Sequence, residues 1–471
     1  MKKIGIILLL CVLSTLLPLP APSAHGVTFD PNNIISNEEL FNSDGMTALQ
    51  IQEFLQNRGS SLASYLTQDI DGQTKRASDI IWRSAQDSGL NPKAILVILQ
   101  KEQSLIESSS PSQYNYDWAT GYARCDSCGT TEARVVAYKG FTKQVDAAAK
   151  RTKYYTNNPW EFNFRAGLAS IIDGTLVTPV NSATAALYNY TPHLHGNFNF
   201  WKLWLRYFGK FYPDGLIVRE EGTNKLWLIQ GGKKRQFASF GAFASRYSTK
   251  QIVDIKKGDL DKYEAGSPIK FPQYSLLQAP KGGVYLFADD QKFAITSKKV
   301  FKAIGFNPDE IIAATQKEID GIPLGGVIDK ADLNPAGELL QDKKTGGIYH
   351  VVNGVKHPIW ARELLSTNFA YRKVVATTSA ALAKYADGEP VKFVDGTILT
   401  SAGSGSVYVI SNGLKRPVAS KEVFESLGFD WNNIITTNDR AMSLHEDGDP
   451  IVVGATVDQE MPADLTAATQ K

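Results

Sequence analysis

The chain has few cysteines, no excess of either charge and, beyond its first residues, no long hydrophobic run. Three of its 471 residues are cysteine, which excludes a fold held together by many disulfides. Its 50 lysines and arginines face 48 aspartates and glutamates, and the two counts become equal without Lys2 and Lys3. We therefore expect no nucleic-acid partner and no attraction to anionic membranes.

Motifs for cofactors and metals are equally scarce. No Gly-rich phosphate loop and no Ser-His-Asp or Cys-His nucleophile motif occurs. His193 and His195, in "PHLHG", would supply only half a metal site, and without a third ligand nearby ordinary cleft or loop residues are the favoured interpretation. We expect neither a cofactor nor a metal.

The first residues, "MKKIGIILLLCVLSTLLPLPAPSAHG", are typical of a secretory signal peptide. We assign residues 1–24 to it, with cleavage near Ser23 or Ala24, so that Cys11 leaves with the signal. The apolar run is short for a membrane span, and no later segment is long and apolar enough for one. The mature chain is expected to be a bacterial secreted or cell-wall-associated protein without a transmembrane segment.

The two remaining cysteines, Cys125 and Cys128, lie in "RCDSCG". A redox-active pair and half of a zinc site are possible interpretations, but this single motif supports the first weakly and has too few ligands for the second. A disulfide that staples a loop is favoured, because the compartment is oxidising.

One pattern recurs four times after Pro213. Each copy has an apolar strand, a two-residue turn and a second strand, as in "VYVISNGLKRPV", which is a hairpin signature. A serine-capped helix start and a closing line such as "DGDPIVV" follow. We assign four α+β repeats and a polar tail, at residues 214–273, 274–335, 336–394, 395–454 and 455–471.

The region before the repeats, residues 28–212, has apolar residues at three-and-four spacing and is predicted to be mainly α. In its segment "ILVILQKEQSLI", Glu102 falls at about 340° on a helical wheel, between Ile98 at about 300° and Ile106 at about 20°. A carboxylate centred on an apolar stripe must be paired, hydrogen-bonded or at the wall of a cleft. An ion pair with Arg151 or Arg165 and a catalytic carboxyl are both open from the pattern alone.

Several motifs then occur in order: "QKEQSL", "TGYA", "YKGFTKQVDAAAK", "ATAALYNYTPH" and "GNFNFWKLW". Together they resemble a family of secreted bacterial lysozyme-like proteins, similar in plan to lytic transglycosylases and goose-type lysozymes. The resemblance covers about residues 28 to 210. The expected fold class is therefore multidomain, with a mainly α lysozyme-like N-terminal domain and a C-terminal array of four α+β repeats.

The resemblance implies roles for individual residues. Glu102 takes the place of the catalytic acid. Tyr188 and Asn189 match a Tyr-Asn pair, which implies that Tyr188 bonds to the catalytic carboxyl and Asn189 holds the substrate. Tyr122 and Gln144 are further substrate-binding candidates. The "YTP" that follows Asn189 departs from the family's small residues and alters that subsite.

Classical glycosidases use two carboxyl groups, and the candidates for a second one are weak, Asp117 being the best of Glu107, Asp117, Asp126 and Glu132. The transglycosylases that the domain resembles use one glutamate, which protonates the bridging oxygen and then acts as base. The expected function is thus cleavage of the bond between N-acetylmuramic acid and N-acetylglucosamine in peptidoglycan, by a lytic transglycosylase or a lysozyme-like muramidase.

Two other classes stay open: a non-catalytic surface protein that binds peptidoglycan or another cell-wall glycan, and a structural wall protein. The repeats are expected to target or space the N-terminal domain at the wall. Aromatic residues at one position of the hairpins can stack on sugars, but packing in each repeat is favoured; they are Trp227, Tyr285, Tyr349 and Tyr408. Basic residues after the turns are expected to mark solvated strands; they are Lys234, Arg235, Lys356, Lys415 and Arg416.

Overall fold

The structure is a computed structural model that describes residues 27–124, 131–330, 336–370, 372–455 and 461. The predicted signal peptide, the pair Cys125 and Cys128, and most of the predicted tail lie outside the described residues.

The N-terminal unit, which precedes the repeats, combines helices with two small β-sheets. Among its described residues the helices are α1 (Asn37–Leu40), α2 (Ala48–Asn57), α3 (Ala77–Ser88), α4 (Pro92–Gln103), α5 (Gln113–Asp117), α6 (Ala133–Val136), α7 (Phe141–Asn157), α8 (Ser182–Tyr190) and α9 (Leu194–Phe208). Two short antiparallel hairpins accompany them, formed by β1 (Leu66–Gln68) with β2 (Thr74–Arg76) and by β3 (Ser170–Ile172) with β4 (Thr175–Val177).

The central helix of this unit is α4. It begins where Asn91 Oδ1 accepts a hydrogen bond from the Lys93 amide at 3.0 Å, with Pro92 in the first turn. It ends at Ser104, which has a left-handed φ of 55°. Every residue from Ala94 to Leu99 is buried, so α4 packs against neighbours on all sides rather than along one stripe.

Four mixed sheets follow, one in each of the segments 214–273, 274–335, 336–394 and 395–454. We number the repeats 1 to 4 in this order. Repeat 1 has β5 (Ile217–Glu220), β6 (Trp227–Gln230), β7 (Lys233–Gln236), α10 (Phe240–Ala244) and β8 (Ile252–Ile255). Repeat 2 has β9 (Leu276–Gln278), β10 (Val284–Ala288), β11 (Gln291–Ile295), α11 (Lys298–Ile304), β12 (Ile311–Ala313), α12 (Gln316–Asp320) and β13 (Leu324–Ile328).

Repeat 3 has β14 (Glu338–Asp342), β15 (Ile348–Val352), β16 (Val355–Pro358), α13 (Glu363–Asn368), β17 (Val374–Thr377), α14 (Ser379–Leu382) and β18 (Ala386–Asp387). Repeat 4 has β19 (Ile398–Ser401), β20 (Tyr408–Ser411), β21 (Leu414–Pro417), α15 (Lys421–Ser426), β22 (Ile435–Thr437) and α16 (Asp439–Met442). In each repeat three antiparallel strands are joined by a fourth that returns parallel to the first.

Each hairpin turns on two residues with positive φ, as the sequence predicts. In repeat 4, for example, Asn412 and Gly413 have φ of 53° and 73°. Two consecutive positive φ angles are what a type I′ turn requires, and this turn matches the twist of the strands it connects.

A lysine at one position of every hairpin reaches across its repeat. Its ammonium donates to a backbone carbonyl in or just after the turn or helix that follows the parallel strand, at 2.5 to 3.2 Å. The pairs are Lys234 with Leu260, Lys292 with Ile319, Lys356 with Tyr385 and Lys415 with His445. We call these four bonds the lysine staples. For Lys234, Lys356 and Lys415 the expectation of solvated strands therefore missed this role, because each stem is half-buried and its ammonium satisfies a backbone acceptor. Lys292 was not among the residues singled out from the sequence.

Successive repeats are in contact. Between repeats 1 and 2, Arg235 and Asp290 form an ion pair of 2.7 Å. Between repeats 2 and 3, the Arg372 guanidinium lies 5.8 Å from the centroid of the Tyr274 ring. Repeats 3 and 4 share an apolar cluster that includes Leu364 and Ile410.

Repeat 4 also packs against repeat 1, so the array is a closed ring. One apolar cluster combines Val218 and Ile229 of repeat 1 with Val409 and Phe424 of repeat 4. Two glycines meet at this interface. A Cβ on Gly215 would lie 2.2 Å from the Asp395 carbonyl carbon, and a Cβ on Gly396 would lie 2.2 Å from the Gly215 oxygen. The repeat pattern predicted contacts between sequence neighbours but not this closure.

The N-terminal unit contacts both the first and the last repeat of the ring. The Tyr212 hydroxyl donates to Asp259 of repeat 1 at 2.5 Å, and the Gly454 amide of repeat 4 donates to the Gly209 carbonyl at 2.8 Å. Helical unit and ring therefore share a junction at the end of α9.

The predicted fold class is wrong. The described chain is mixed α/β and multidomain, with 22 strands in six sheets, and it is not built on a mainly α lysozyme-like domain. Two of the sheets lie within residues 28–212. Their strands have three residues each, as in "LTQ" and "TKR", which is too short to show the alternation by which a strand is predicted.

Candidate functional site

Glu102 lies in the last turn of α4, where this buried helix reaches the surface. Its side chain is 27% exposed, so the carboxylate is accessible without being fully solvated. The Lys101 ammonium contacts the Glu102 carboxylate and also donates to Thr191 Oγ1 at 3.2 Å. The ion-pair partner is thus the preceding lysine rather than Arg151 or Arg165, and Thr191 holds that lysine in place.

A glycine borders the carboxylate on another side. Gly121 has a φ of 67°, and a Cβ at this position would lie 3.2 Å from Glu102 Oε2. Any side chain here would crowd the carboxylate and would also strain the backbone. The glycine therefore keeps the space beside Glu102 open.

Gln144, on α7, holds the loop that contains Gly121. It is fully buried. Its Oε1 accepts hydrogen bonds from the amides of Thr120 and Tyr122 at 3.3 and 3.0 Å. Its Nε2 donates to the carbonyls of Tyr122 and Tyr138 at 3.1 and 2.9 Å. Both N–H donors are used, so Gln144 supports the loop from beneath instead of presenting a free amide to a ligand.

The two tyrosines of α8 point in different directions. Tyr188 is buried, and its hydroxyl donates to the Pro31 carbonyl at 2.9 Å rather than to Glu102. Tyr190 lies near Glu102: its hydroxyl donates to the Thr120 carbonyl at 2.8 Å. Burial, assisted by the negative charge of Glu102, raises the pKa of Tyr190 far above its usual range, so this hydroxyl stays protonated as a hydrogen-bond donor.

The other two predicted binding residues also have defined contacts. Asn189 exchanges two hydrogen bonds with the Phe164 backbone, at 3.2 and 2.8 Å, and so closes a loop. Tyr122 directly follows Gly121 and packs edge-on against Tyr138, with 4.9 Å between ring centroids. Among the four binding residues expected from the sequence, Tyr122 and Gln144 are thus in or against the loop beside Glu102, whereas Tyr188 and Asn189 bond elsewhere.

The described candidates for a second carboxylate all have basic partners. Asp117 is 3.3 Å from Lys139 Nζ, Glu107 contacts Arg206, and Glu132 is 2.8 Å from Arg134 Nε. Asp126 lies outside the described residues. His193 contacts Asp173 at 3.0 Å, and within the described ranges no group of three His, Cys, Asp or Glu side chains is arranged to hold a metal ion.

Sequence reasoning missed Lys101, Thr191 and Tyr190 as neighbours of Glu102. One signal was available. Residues 188 and 190 are about 200° apart on a helix, so only one of them can face the end of α4. The resemblance implied from the position of Tyr188 in its motif that this residue bonds to the catalytic carboxyl, but a motif position does not show which side of α8 a residue occupies.

The hairpin aromatics pack against the apolar cores of the repeats. Each is half-buried and lies against an apolar cluster that includes its own repeat; they are Trp227, Tyr285, Tyr349 and Tyr408. Their rings therefore contribute to the cores of the repeats.

Comparisons with known proteins give limited matches. A family model described as "LasA, N-terminal domain" matches residues 33–215, less than half of the chain. Protein CgeD of Bacillus subtilis (strain 168) is 26% identical over 121 residues, which cover 24% of this chain and 28% of CgeD. The match thus spans little more than a quarter of that relative. The family that matches the N-terminal unit is not a lysozyme or transglycosylase family, so the predicted lysozyme-like recognition is not supported.

Three solved structures are similar at low identity. They are the periplasmic assembly of the ESX-5 inner membrane complex (11% identity, TM-score 0.14, 54% of this chain and 97% of that chain), an intact ESX-5 inner membrane complex (11%, 0.13, 53% and 82%) and an EccB3 dimer of the ESX-3 core complex (12%, 0.13, 52% and 100%). TM-scores this low carry no argument. In the part of the chain that the structure describes, no helix has the length and apolarity of a membrane span.

Proposed function

We propose that this protein acts at the bacterial cell wall and cleaves the bond between N-acetylmuramic acid and N-acetylglucosamine, with Glu102 as a single acid/base. The match to the LasA N-terminal domain supports a secreted, wall-related protein. The observation that carries the chemical part is the placement of Glu102. Its carboxylate is partly exposed at the end of a buried helix, and Gly121 leaves the space beside it open.

The residues around Glu102 suggest a division of work. Lys101 and Thr191 orient the carboxylate, which needs a fixed position to reach a glycosidic oxygen. Glu102 protonates the bridging oxygen, and afterwards takes a proton from the muramyl hydroxyl or from water. Tyr190 and Gln144 hold the Thr120–Tyr122 loop against the site. The ring of repeats targets or spaces this unit at the wall.

The test is digestion of purified peptidoglycan by the full chain, measured as turbidity loss and as release of soluble muropeptides. Glu102→Gln keeps the size of the side chain but removes acid/base chemistry, so we expect release to fall at least ~100-fold. Glu53→Gln, an exposed glutamate on α2, is the matched control and should keep wild-type activity. Equal release by wild type and Glu102→Gln would refute the proposal.

A second candidate is a non-catalytic protein that binds wall glycan. Two ion pairs favour this candidate. Glu102 is paired with Lys101, and Asp117, the best candidate for a second catalytic carboxylate, is paired with Lys139. Under this hypothesis the full chain sediments with purified wall but releases no muropeptides. Mass spectrometry of any products would distinguish an anhydro sugar from a reducing end.

A further inference from the structure

A cavity of about 610 Å³ lies where repeats 1, 2 and 3 meet. Its volume is within the range of small-molecule sites in proteins. Repeat 1 contributes Arg246, repeat 2 contributes Tyr274 and Asp289, and repeat 3 contributes Asn368 and Arg372. The packing of these three repeats thus brings together side chains that are far apart in the sequence.

Tyr274 has an unusual backbone conformation. Its φ is 65°, a left-handed value that a bulky side chain adopts only at a cost. The equivalent positions in the other repeats, directly before their first strands, are glycines with positive φ: Gly215, Gly337 and Gly396. Repeat 2 alone therefore keeps a strained tyrosine where glycine fits, and this tyrosine lines the cavity with 37% of its surface exposed.

The strained tyrosine is held by its surroundings. The Tyr274 amide donates to the Phe287 carbonyl at 2.8 Å, and the Arg372 guanidinium lies 5.8 Å from its ring centroid. Arg372 in turn donates to the carbonyls of Ala336 and Gly337. Aromatic ring and guanidinium are thus pre-positioned together at the wall of the cavity.

The cavity lining also carries the positive charge of Arg246. Arg246 donates to Gln273 Oε1 at 2.6 Å, while its contact with Asp290 is long, 3.5 Å, and Asp290 also pairs with Arg235. The described residues offer no acceptor to Arg246 Nε. Burial lowers the pKa of Arg246.

Planar polar side chains complete the lining. Gln273 donates to Asp289, and Asn368 Nδ2 donates to the Lys392 carbonyl at 2.8 Å. Gln273 Oε1 also accepts hydrogen bonds from Arg246 and from the Asp289 amide, and Asn368 Oδ1 accepts one from Thr367 Oγ1 at 2.8 Å. An amide nitrogen has two N–H donors and an amide oxygen two lone pairs, so Asn368 keeps a further donor and a further acceptor site for a ligand. Sugar hydroxyls are both donors and acceptors, and sugar rings pack on aromatic faces, so this set suits a carbohydrate.

We propose that the cavity between repeats 1, 2 and 3 binds a saccharide that carries an anionic group, with the sugar ring against Tyr274 and the anion toward Arg246. Its identity as a wall saccharide rests on the proposed function, but binding itself does not require Glu102. Glycan recognition is thus assigned to the cavity between the repeats, which the strained tyrosine lines, and not to the hairpin aromatics, which pack in the repeat cores.

The test uses the full chain and two sugars that differ in charge, N-acetylmuramic acid with a carboxylate and neutral N-acetylglucosamine. Affinity is measured by calorimetry, and the site is located by hydrogen exchange with and without the sugar. We expect tighter binding of N-acetylmuramic acid and slower exchange in residues 272–290 and 364–370. Glu102 does not line this cavity, so protection of residues 272–290 and 364–370 is read independently of muropeptide release, and failure of wall cleavage and failure of this site are distinguishable.

Two variants test the assigned residues. Tyr274→Gly restores the glycine of the other repeats and should fold normally, yet weaken binding about tenfold through loss of the ring. Its control is Asn353→Gly, which likewise introduces glycine at a residue with positive φ, 49° in the repeat 3 turn. This variant should bind normally. Arg246→Gln should abolish the preference for the charged sugar. Unchanged affinity in Tyr274→Gly, or protection by the sugar only in α4 and α8, would overturn the proposal.

Discussion

Gln144 should control the stability of the loop beside Glu102. Replacing it by alanine removes four hydrogen bonds to buried or half-buried backbone groups, two from the amides of Thr120 and Tyr122 and two to the carbonyls of Tyr122 and Tyr138. At a net value of about 1 kcal/mol each, their loss costs about 4 kcal/mol. Water that enters the vacated volume recovers part of this, so we expect a local loss of about 3 kcal/mol.

Hydrogen exchange of the Thr120 and Tyr122 amides measures this loss directly, because these two N–H groups bond to Gln144 Oε1. A loss of about 3 kcal/mol should accelerate their exchange on the order of 10²-fold. Gln144→Glu keeps the size and the acceptor but turns a second oxygen toward two carbonyls, so it should accelerate exchange as well. Under the proposed function, wall digestion should decline in both variants.

The control is Lys143→Ala on the same helix, whose exposed side chain should leave both amides protected. If exchange at Tyr122 is the same in Gln144→Ala as in the wild type, the loop is held by other contacts and the reasoning is wrong. If exchange accelerates along the whole of α7, the effect is global and does not support a specific role in the loop.

Three further predictions concern other parts of the molecule. Burial raises the pKa of Asp69, but hydrogen bonds, chiefly from Arg83, outweigh it and lower the pKa to about 2 from an ordinary value of 3.8. The local stability of α3 should therefore include about 2 kcal/mol that is complete above pH 4 and is lost as the pH falls to 2. Asp69→Asn should lack this contribution at pH 7. Exchange of α3 amides against pH checks this. Lys415→Met breaks one lysine staple and should destabilise repeat 4 by about 1 to 2 kcal/mol, measured by exchange in β20 and β21. Gly396→Ala should open the contact between repeats 1 and 4, detected by proteolysis, whereas Gly403→Ala, with the same φ of 84° but no neighbour within 4 Å, should cost only the backbone strain.

Local signals in the sequence predicted local structure well. Gly89 ends α3 with a φ of 73°, and Asn91 with Pro92 begins α4, both as capping chemistry requires. The turn residues of the four hairpins likewise have the φ values that their types favour. These features depend on a few adjacent residues, and for this reason one sequence suffices to predict them.

Features that depend on distant contacts were not predictable in the same way. The periodicity of α4 indicated one buried stripe, but helices on all sides bury Leu96 and Val97 as well. Gln144 looked like a cleft residue, because nothing in "GFTKQV" shows that a loop of backbone amides lies above it. The meeting of Gly215 with Gly396 joins residues about 180 positions apart, and no local pattern encodes such a pair.

Closure of the ring has a consequence for how the chain folds as it is made. The apolar surface of repeat 1 that contains Val218 and Ile229 is covered by residues of repeat 4, which emerge last. Contacts of such high sequence separation slow folding, and the uncovered surface is prone to aggregate in the meantime. Completion of the ring requires repeat 4, and a truncated product that ends before residue 396 would leave this surface of repeat 1 exposed.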